Sequence, residues 1–178
     1  MILSDVDILN MIKNKRLGIK PFDRKIVREN GIDCRLDDQI AHHVVPDADF
    51  VMDPTNPEHI AKSYSVMKNQ KKLIIKPHEQ VLLSTYEKLS IPDSVAGFVE
   101  LRSTWARHGL SMPPTIIDAG FEGTVTLEVI NNAPYSIILR PKQNFAHIIL
   151  VKLDNKSENA YSGFYSGQNG IRLPKVLK

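Results

Sequence analysis

Apolar and polar positions alternate along most of this chain in short runs, and helical spacing occurs only at its start. Residues 4 to 16 predict a short amphipathic helix: Ser4 suits the N-cap, Asp7 falls in the first turn, and Ile8, Leu9 and Ile12 share one face. Beyond it, apolar or alternating stretches occupy residues 73–75, 80–85, 95–101, 124–130, 135–139 and 145–153. Turn-forming clusters separate them, among them Lys76-Pro77-His78, Ile91-Pro92-Asp93, Pro113-Pro114, Ala119-Gly120, Asn131-Asn132-Ala133-Pro134 and Arg140-Pro141. Many short strands at close spacing predict a mainly β protein, a sandwich or barrel and not a βαβ sheet. No repeat or internal boundary interrupts the pattern, so residues 1–178 are expected to form one domain. Residues 38 to 72 are polar and proline-bearing and read as a long excursion from the barrel. From Tyr161 onward the chain carries Gly163, Gly167, Gly170 and three basic residues with no acid, which fits either a frayed end or a flap that orders over an anion.

Composition narrows the partners. No apolar run approaches the length of a membrane span, and the opening MILSDVD lacks the basic flank and apolar centre of a signal peptide, so the cytoplasm is the expected compartment. Cys34 is the sole cysteine, which rules out an internal disulfide. A net charge of +3, from 23 basic and 20 acidic residues, is too balanced to indicate a polynucleotide partner. A small anion needs only a few well-placed cations.

The densest polar stretch is RSTWARHG, residues 102–109. Ser103 is placed to cap a single helical turn that Gly109 would close, and Ser103 and Arg107, four apart, share a face of it. Backbone N–H groups there, with Arg102 and the hydroxyls of Ser103 and Thr104, would cradle a phosphate; a solvated surface turn fits the same residues. In TIIDAGFEGTVTLEVIN, residues 115–131, Val125, Leu127 and Val129 alternate onto one face and Thr126 and Glu128 onto the other. Glu128 therefore lies on a wet face or in a pocket, where desolvation would raise its pKa and suit it to moving protons. Asp118 precedes the strand as an ordinary turn former. The chain has no Gly-x-x-x-x-Gly-Lys or Gly-x-Gly-x-x-Gly loop, and no His-x-Glu with Pro-Cys-x-x-Cys for catalytic zinc. His42 and His43 stand without a further ligand at metal-site spacing.

In order and spacing these stretches resemble the dCTP deaminase family, in an archaeal-looking form. RENGIDCRL (28–36) resembles its N-terminal strand motif, VELRSTWARHGL its phosphate-binding motif, PPTIIDAGFEGTVTLEV its sugar, base and catalytic segment, and YSGFYSGQNG its tail. The resemblance implies a distorted β-barrel or jelly-roll of the dUTPase-like type, assembled as a homotrimer with composite sites between subunits. It implies hydrolysis of dCTP to dUTP and ammonia without zinc, in the supply of dUTP and dTTP precursors, with Mg²⁺ riding on the triphosphate and dTTP as a further ligand that inhibits.

By the same resemblance Glu128 is general base and acid, and Ser103 and Arg107 shape the site around the amino group and the attacking water. Arg102, Ser103 and Thr104 hold phosphates in a stretch that includes Trp105 and Ala106. Asp118 accepts from the sugar 3′-hydroxyl, Phe121 packs where a 2′-hydroxyl would clash, and the backbone of Thr126 and Leu127 lies beside the base. His147 falls where some relatives place a glutamine near the base, and Tyr161 and Gln168 belong to a tail, residues 161–178, that closes over the nucleotide. Two departures stand out. Phe164 occupies the place of the lysine in the usual Lys-Tyr-x-x-Gln tail, and Thr104 and Trp105 replace the commoner serine and smaller apolar residue. Rival readings are a bifunctional enzyme that also cleaves dUTP to dUMP and pyrophosphate, a dUTPase alone, and a non-catalytic nucleotide-binding regulator.

Overall fold

The computed structural model describes residues 1–178. In chain order its elements are α1 (Asp5–Lys13), β1 (Gly18–Lys20), β2 (Val27–Arg28), β3 (Gly31–His43), α2 (Pro57–Lys62), β4 (Tyr64–Met67), β5 (Leu73–Ile75), β6 (Gln80–Thr85), β7 (Lys88–Ser90), β8 (Val95–Leu101), α3 (Ser103–Arg107), β9 (Leu110–Ser111), β10 (Thr115–Ile117), β11 (Glu122–Gly123), β12 (Thr126–Asn131), β13 (Ile137–Leu139) and β14 (Asn144–Lys152). The main sheet runs β10-β8-β14-β3-β6-β12-β9, with β2 and β4 also paired to β3, and curls into a half-barrel. A three-stranded sheet, β1-β7-β11, and the pair β13-β5 complete the strands.

The amphipathic start forms α1 as the pattern predicts. Ser4 caps it by accepting from the Asp7 backbone N–H, and the Asp7 carboxylate accepts from the Ser4 N–H in return. Three predicted stretches match their strands end to end, namely β5, β6 and β8. Each presents apolar side chains to a cluster of 31 buried residues that includes Ile32, Leu36, Leu83, Leu127 and Phe145.

The longest element with no counterpart in the hydrophobic pattern is β3. Its first half pairs with β14 and its second half with β6 and β4, across a register shift between Leu36 and Ile40 that bends the strand. At that bend Glu87, with no exposed side-chain surface, accepts from the backbone N–H of Arg35 at 2.8 Å and from its Nε at 2.6 Å. The expected excursion over residues 38–72 is correspondingly shorter. Residues 38–43 continue β3 and Tyr64–Met67 return as β4, because the outer edge of this pair faces water and tolerates polar side chains. Between them, α2 is capped by Asn56, whose side chain accepts from Glu58 N–H.

The chain after Tyr161 is packed against the body. Thr124 N–H donates to Gln168 O at 3.1 Å, Thr124 Oγ1 donates to Gly170 O at 3.0 Å, and the Gln168 amide, itself buried, donates back to Thr124 O. The tail thus continues the sheet edge at Gly123 and lies beside β12.

Candidate active site

The site is built on β12. Leu127, Val129 and Asn131 point into the core, while Thr126, Glu128 and Ile130 lie half-buried on the opposite face. Asn131 anchors the end of the strand: its Nδ2 donates to the carbonyls of Ile75, Lys76 and Tyr135, and its Oδ1 accepts from Ala133 N–H. The neighbouring β6 sets Leu82 opposite Glu128 and Ser84 opposite Thr126. Glu128 therefore stands mid-strand on a floor that is apolar on one side.

Around it a cavity of about 420 Å³ is lined by Asp118, Phe121, Thr126, Glu128, Tyr161 and Gln168, with Tyr64, Tyr165 and Arg172 among the others. Six of the expected site residues thus meet in one cavity. Burial pushes the Glu128 carboxyl above its ordinary range, and no cation lies within 4 Å to counter it. Tyr64, brought in by β4, is half-buried beside it; its hydroxyl pKa is raised by burial first and by the Glu128 charge second. Phe121 is buried and stacks obliquely on Tyr161, ring centroids 5.9 Å apart, so the tail closes one wall of the cavity. Gln168 Oε1 is buried without a hydrogen-bond partner. Asp118 is exposed at the rim. The Leu127 side chain is in the core, so its backbone alone can meet a ligand.

The RSTWAR segment forms a second cluster, apart from this cavity. Arg102, with extended backbone, is the N-cap of α3 and makes no side-chain cap bond. Ser103 is the first helical residue and not its cap, because β8 runs straight to Leu101 and leaves one residue for the turn. Trp105 docks the helix, its Nε1 donating to Asn144 O at 2.9 Å and its ring lying 5.7 Å from Phe145. Ser103, Thr104, Ala106 and Arg107 are left exposed. Gly109 closes the turn at φ +96°, where a Cβ would sit 2.9 Å from that of Ala133.

Beneath this cluster lies Asp33, buried in β3, which no pattern in the sequence singled out. Its carboxylate meets His147 Nδ1 at 2.9 Å, Arg102 Nε at 3.5 Å and Arg28 Nε at 3.8 Å. Arg102 is thereby oriented through its inner nitrogen, leaving its outer donors free. His147 belongs to this group in the single chain and not to the cavity around Glu128. The only sequence signal for Asp33 was a carboxylate between Ile32 and Cys34, apolar residues that proved fully buried. Tyr64, Tyr165 and Arg172 were also missed. Tyr64 sits within the polar excursion, and the two others within a tail whose packing has no periodicity.

A curled antiparallel half-barrel with a carboxylate-bearing cavity on one inner strand is a dUTPase-like fold. The solved 2′-deoxycytidine 5′-triphosphate deaminase from Agrobacterium tumefaciens shares it, with a TM-score of 0.64 at 18% identity over 84% of this chain and 46% of that one. More narrowly, the chain belongs to the dCTP deaminase-like family, whose model matches residues 2–153. Among its relatives, the dCTP deaminase of Caldivirga maquilingensis is 43% identical over 179 residues, covering 100% of this chain and 98% of that protein. That of Aeropyrum pernix is 42% identical over 177 residues, covering 99% and 97%. No helix is long and apolar enough to cross a membrane.

Proposed function

We propose that this protein deaminates dCTP to dUTP and ammonia without zinc, using Glu128 as the proton-transferring residue. The observation that supports this most directly is the carboxyl of Glu128, largely desolvated, with no cation within 4 Å, and sharing a cavity with Asp118 and Phe121. Cytosine demands such a group. Water adds at C4, N3 gains a proton, and the amino group leaves as ammonia, so one base must take the proton of water and return it. A carboxyl with a raised pKa is a stronger base toward water than an ordinary glutamate, and a pKa closer to neutrality suits a group that must both take up a proton and return it. Asp118 at the rim would accept from the sugar 3′-hydroxyl, and buried Phe121 would close off the space of a 2′-hydroxyl. Zinc chemistry lacks its ligands here: the one cysteine, Cys34, is fully buried, and burial pushes its thiol pKa well up.

The exposed residues Ser103, Thr104 and Arg107 would complete the site in a neighbouring copy, in a homotrimer with composite sites. The split of the expected residues into an inward cavity and an outward cluster supports this. So does the exposed cross-strand pair Phe98 and Ile116, with Ile116 also lining the cavity. Mg²⁺ would be held by the triphosphate oxygens. The cavity offers two carboxylates, Asp118 and Glu128, which is too few for a dedicated cage. Exposure of Asp118 to water favours one second reading, in which the protein also cleaves dUTP. Incubation with dCTP or dUTP plus Mg²⁺, with ammonia and pyrophosphate assayed separately, tests both. Ammonia alone from dCTP is expected; pyrophosphate as well establishes the second activity; neither product overturns both.

A further inference from the structure

Arg172 is the only basic residue lining the Glu128 cavity. Its backbone N–H donates to Thr126 Oγ1 at 3.2 Å, which fixes it one strand position pair from Glu128. Its guanidinium lies 4.0 Å from the ring centroid of Phe164. Phe164 is itself held edge-on to Tyr165, centroids 5.0 Å apart, and Tyr165 is braced by its N–H donating to Tyr161 Oη at 3.2 Å. Arg172 makes no ion pair, its guanidinium donates to no acceptor on the protein, and the segment from Tyr161 to Lys178 contains no acid that could pair with it. The tail has thus stacked a guanidinium at the mouth of a cavity whose other charged groups are both carboxylates.

We propose that Arg172 binds the phosphate chain of the nucleotide and that Phe164 is its positioning residue. This rests on the nucleotide reading of the cavity. Cytosine and deoxyribose are neutral and need no cation, whereas a phosphate chain needs planar, paired donors, which a guanidinium supplies. An aromatic ring cannot neutralise a phosphate, but it lowers the freedom of the arginine above it and leaves the in-plane donors pointing outward. Phe164 and Arg172 act together as one cationic group, which explains an aromatic side chain kept 39% exposed on the tail.

The test is equilibrium binding of dCMP, dCDP, dCTP and inorganic tripolyphosphate in a Glu128→Gln background, where turnover does not interfere. Thermal melting of each variant serves as the check on folding. Arg172→Gln is expected to weaken dCTP by about tenfold and dCMP by less than about twofold, with Arg172→Lys in between. Phe164→Leu should weaken dCTP about threefold when Arg172 is present and not at all when it is Gln, the non-additivity of a coupled pair. Equal losses along the phosphate series, or additive effects at the two positions, overturn the proposal and leave the nucleotide reading standing. Binding of tripolyphosphate that depends on Arg172, with no nucleotide bound, keeps the anion site and removes the nucleotide reading.

Discussion

Replacing Glu128 by glutamine should have opposite effects on activity and stability. In the cavity the carboxyl lies opposite Leu82, is raised above its ordinary pKa by burial, and has no cation beside it. Between the ordinary glutamate value and the raised one, the folded protein therefore binds more protons than the unfolded chain. The native protein keeps its full stability below the ordinary value, loses some as pH rises through this window, and stays lower above it. Glutamine is neutral throughout and suffers no such loss. Each pH unit of the window is worth at most about 1.4 kcal/mol. Because the carboxyl still touches water, the gain of the variant at neutral pH should be on the order of 1 kcal/mol. Urea unfolding of both proteins at intervals from pH 4 to 8.5 measures it: the two curves should meet at the acid end and separate as pH rises. The same substitution removes the base proposed for deamination, so ammonia release should fall by about 10⁴-fold, the top of the range for general acid–base catalysis. A variant that is less stable at pH 8, or a difference that does not change with pH, would show that Glu128 is not desolvated. Near-normal ammonia release would remove its catalytic assignment.

Asn131→Ala breaks four hydrogen bonds made by a buried side chain at the end of β12 and should cost roughly 2–6 kcal/mol in urea unfolding, at about 0.5–1.5 kcal/mol each; a loss under about 1 kcal/mol would mean that the strand end is anchored otherwise. Phe121→Ala should narrow the preference for dCTP over CTP by about tenfold in kcat/KM, and equal use of both nucleotides by the native protein would show the sugar contact to be misassigned. Deletion of residues 161–178 should abolish turnover while leaving a cooperative thermal transition, since β14 ends at Lys152; full activity would assign the tail no part in the site. Prolonged dialysis against a zinc chelator should leave deamination intact once Mg²⁺ is restored, and activity that returns only with zinc would refute the mechanism.

The strands that alternation revealed are those with one face in the core, such as β6 and β8. Strand β3 escaped because Asp33, Arg35, Asp37 and Asp38 interrupt its apolar residues. The first two have buried or half-buried partners in His147 and Glu87, and the last two are half-buried and accept from Gln39 Nε2 and Asn69 N–H. Charge neutralised by a neighbour some 50 to 115 residues away leaves no local trace. The site was legible as motifs, and Asp118, Phe121, Thr126, Glu128, Tyr161 and Gln168 do meet in one cavity. What motifs could not convey is that Ser103 and Arg107 face away from it within the chain, because the docking of Trp105 on Asn144 and Phe145 sets which side of α3 turns outward.

The position of β14 has a consequence for synthesis. It is the last strand of the chain, yet it lies between β8 and the first half of β3, and Leu3 N–H donates to Leu150 O across the same region. Until it emerges, β8 and β3 each expose an unpaired edge with apolar side chains already attached. About 50 residues separate Leu101 from Lys152, so at ribosomal rates of about 5–20 residues per second the nascent chain spends roughly 3–10 s with both edges open. During that interval the edges can pair with each other in the wrong register or with another nascent chain. Soluble yield should therefore respond to slower translation after Leu101 and to chaperones that bind extended apolar strands, more than to the stability of the finished protein.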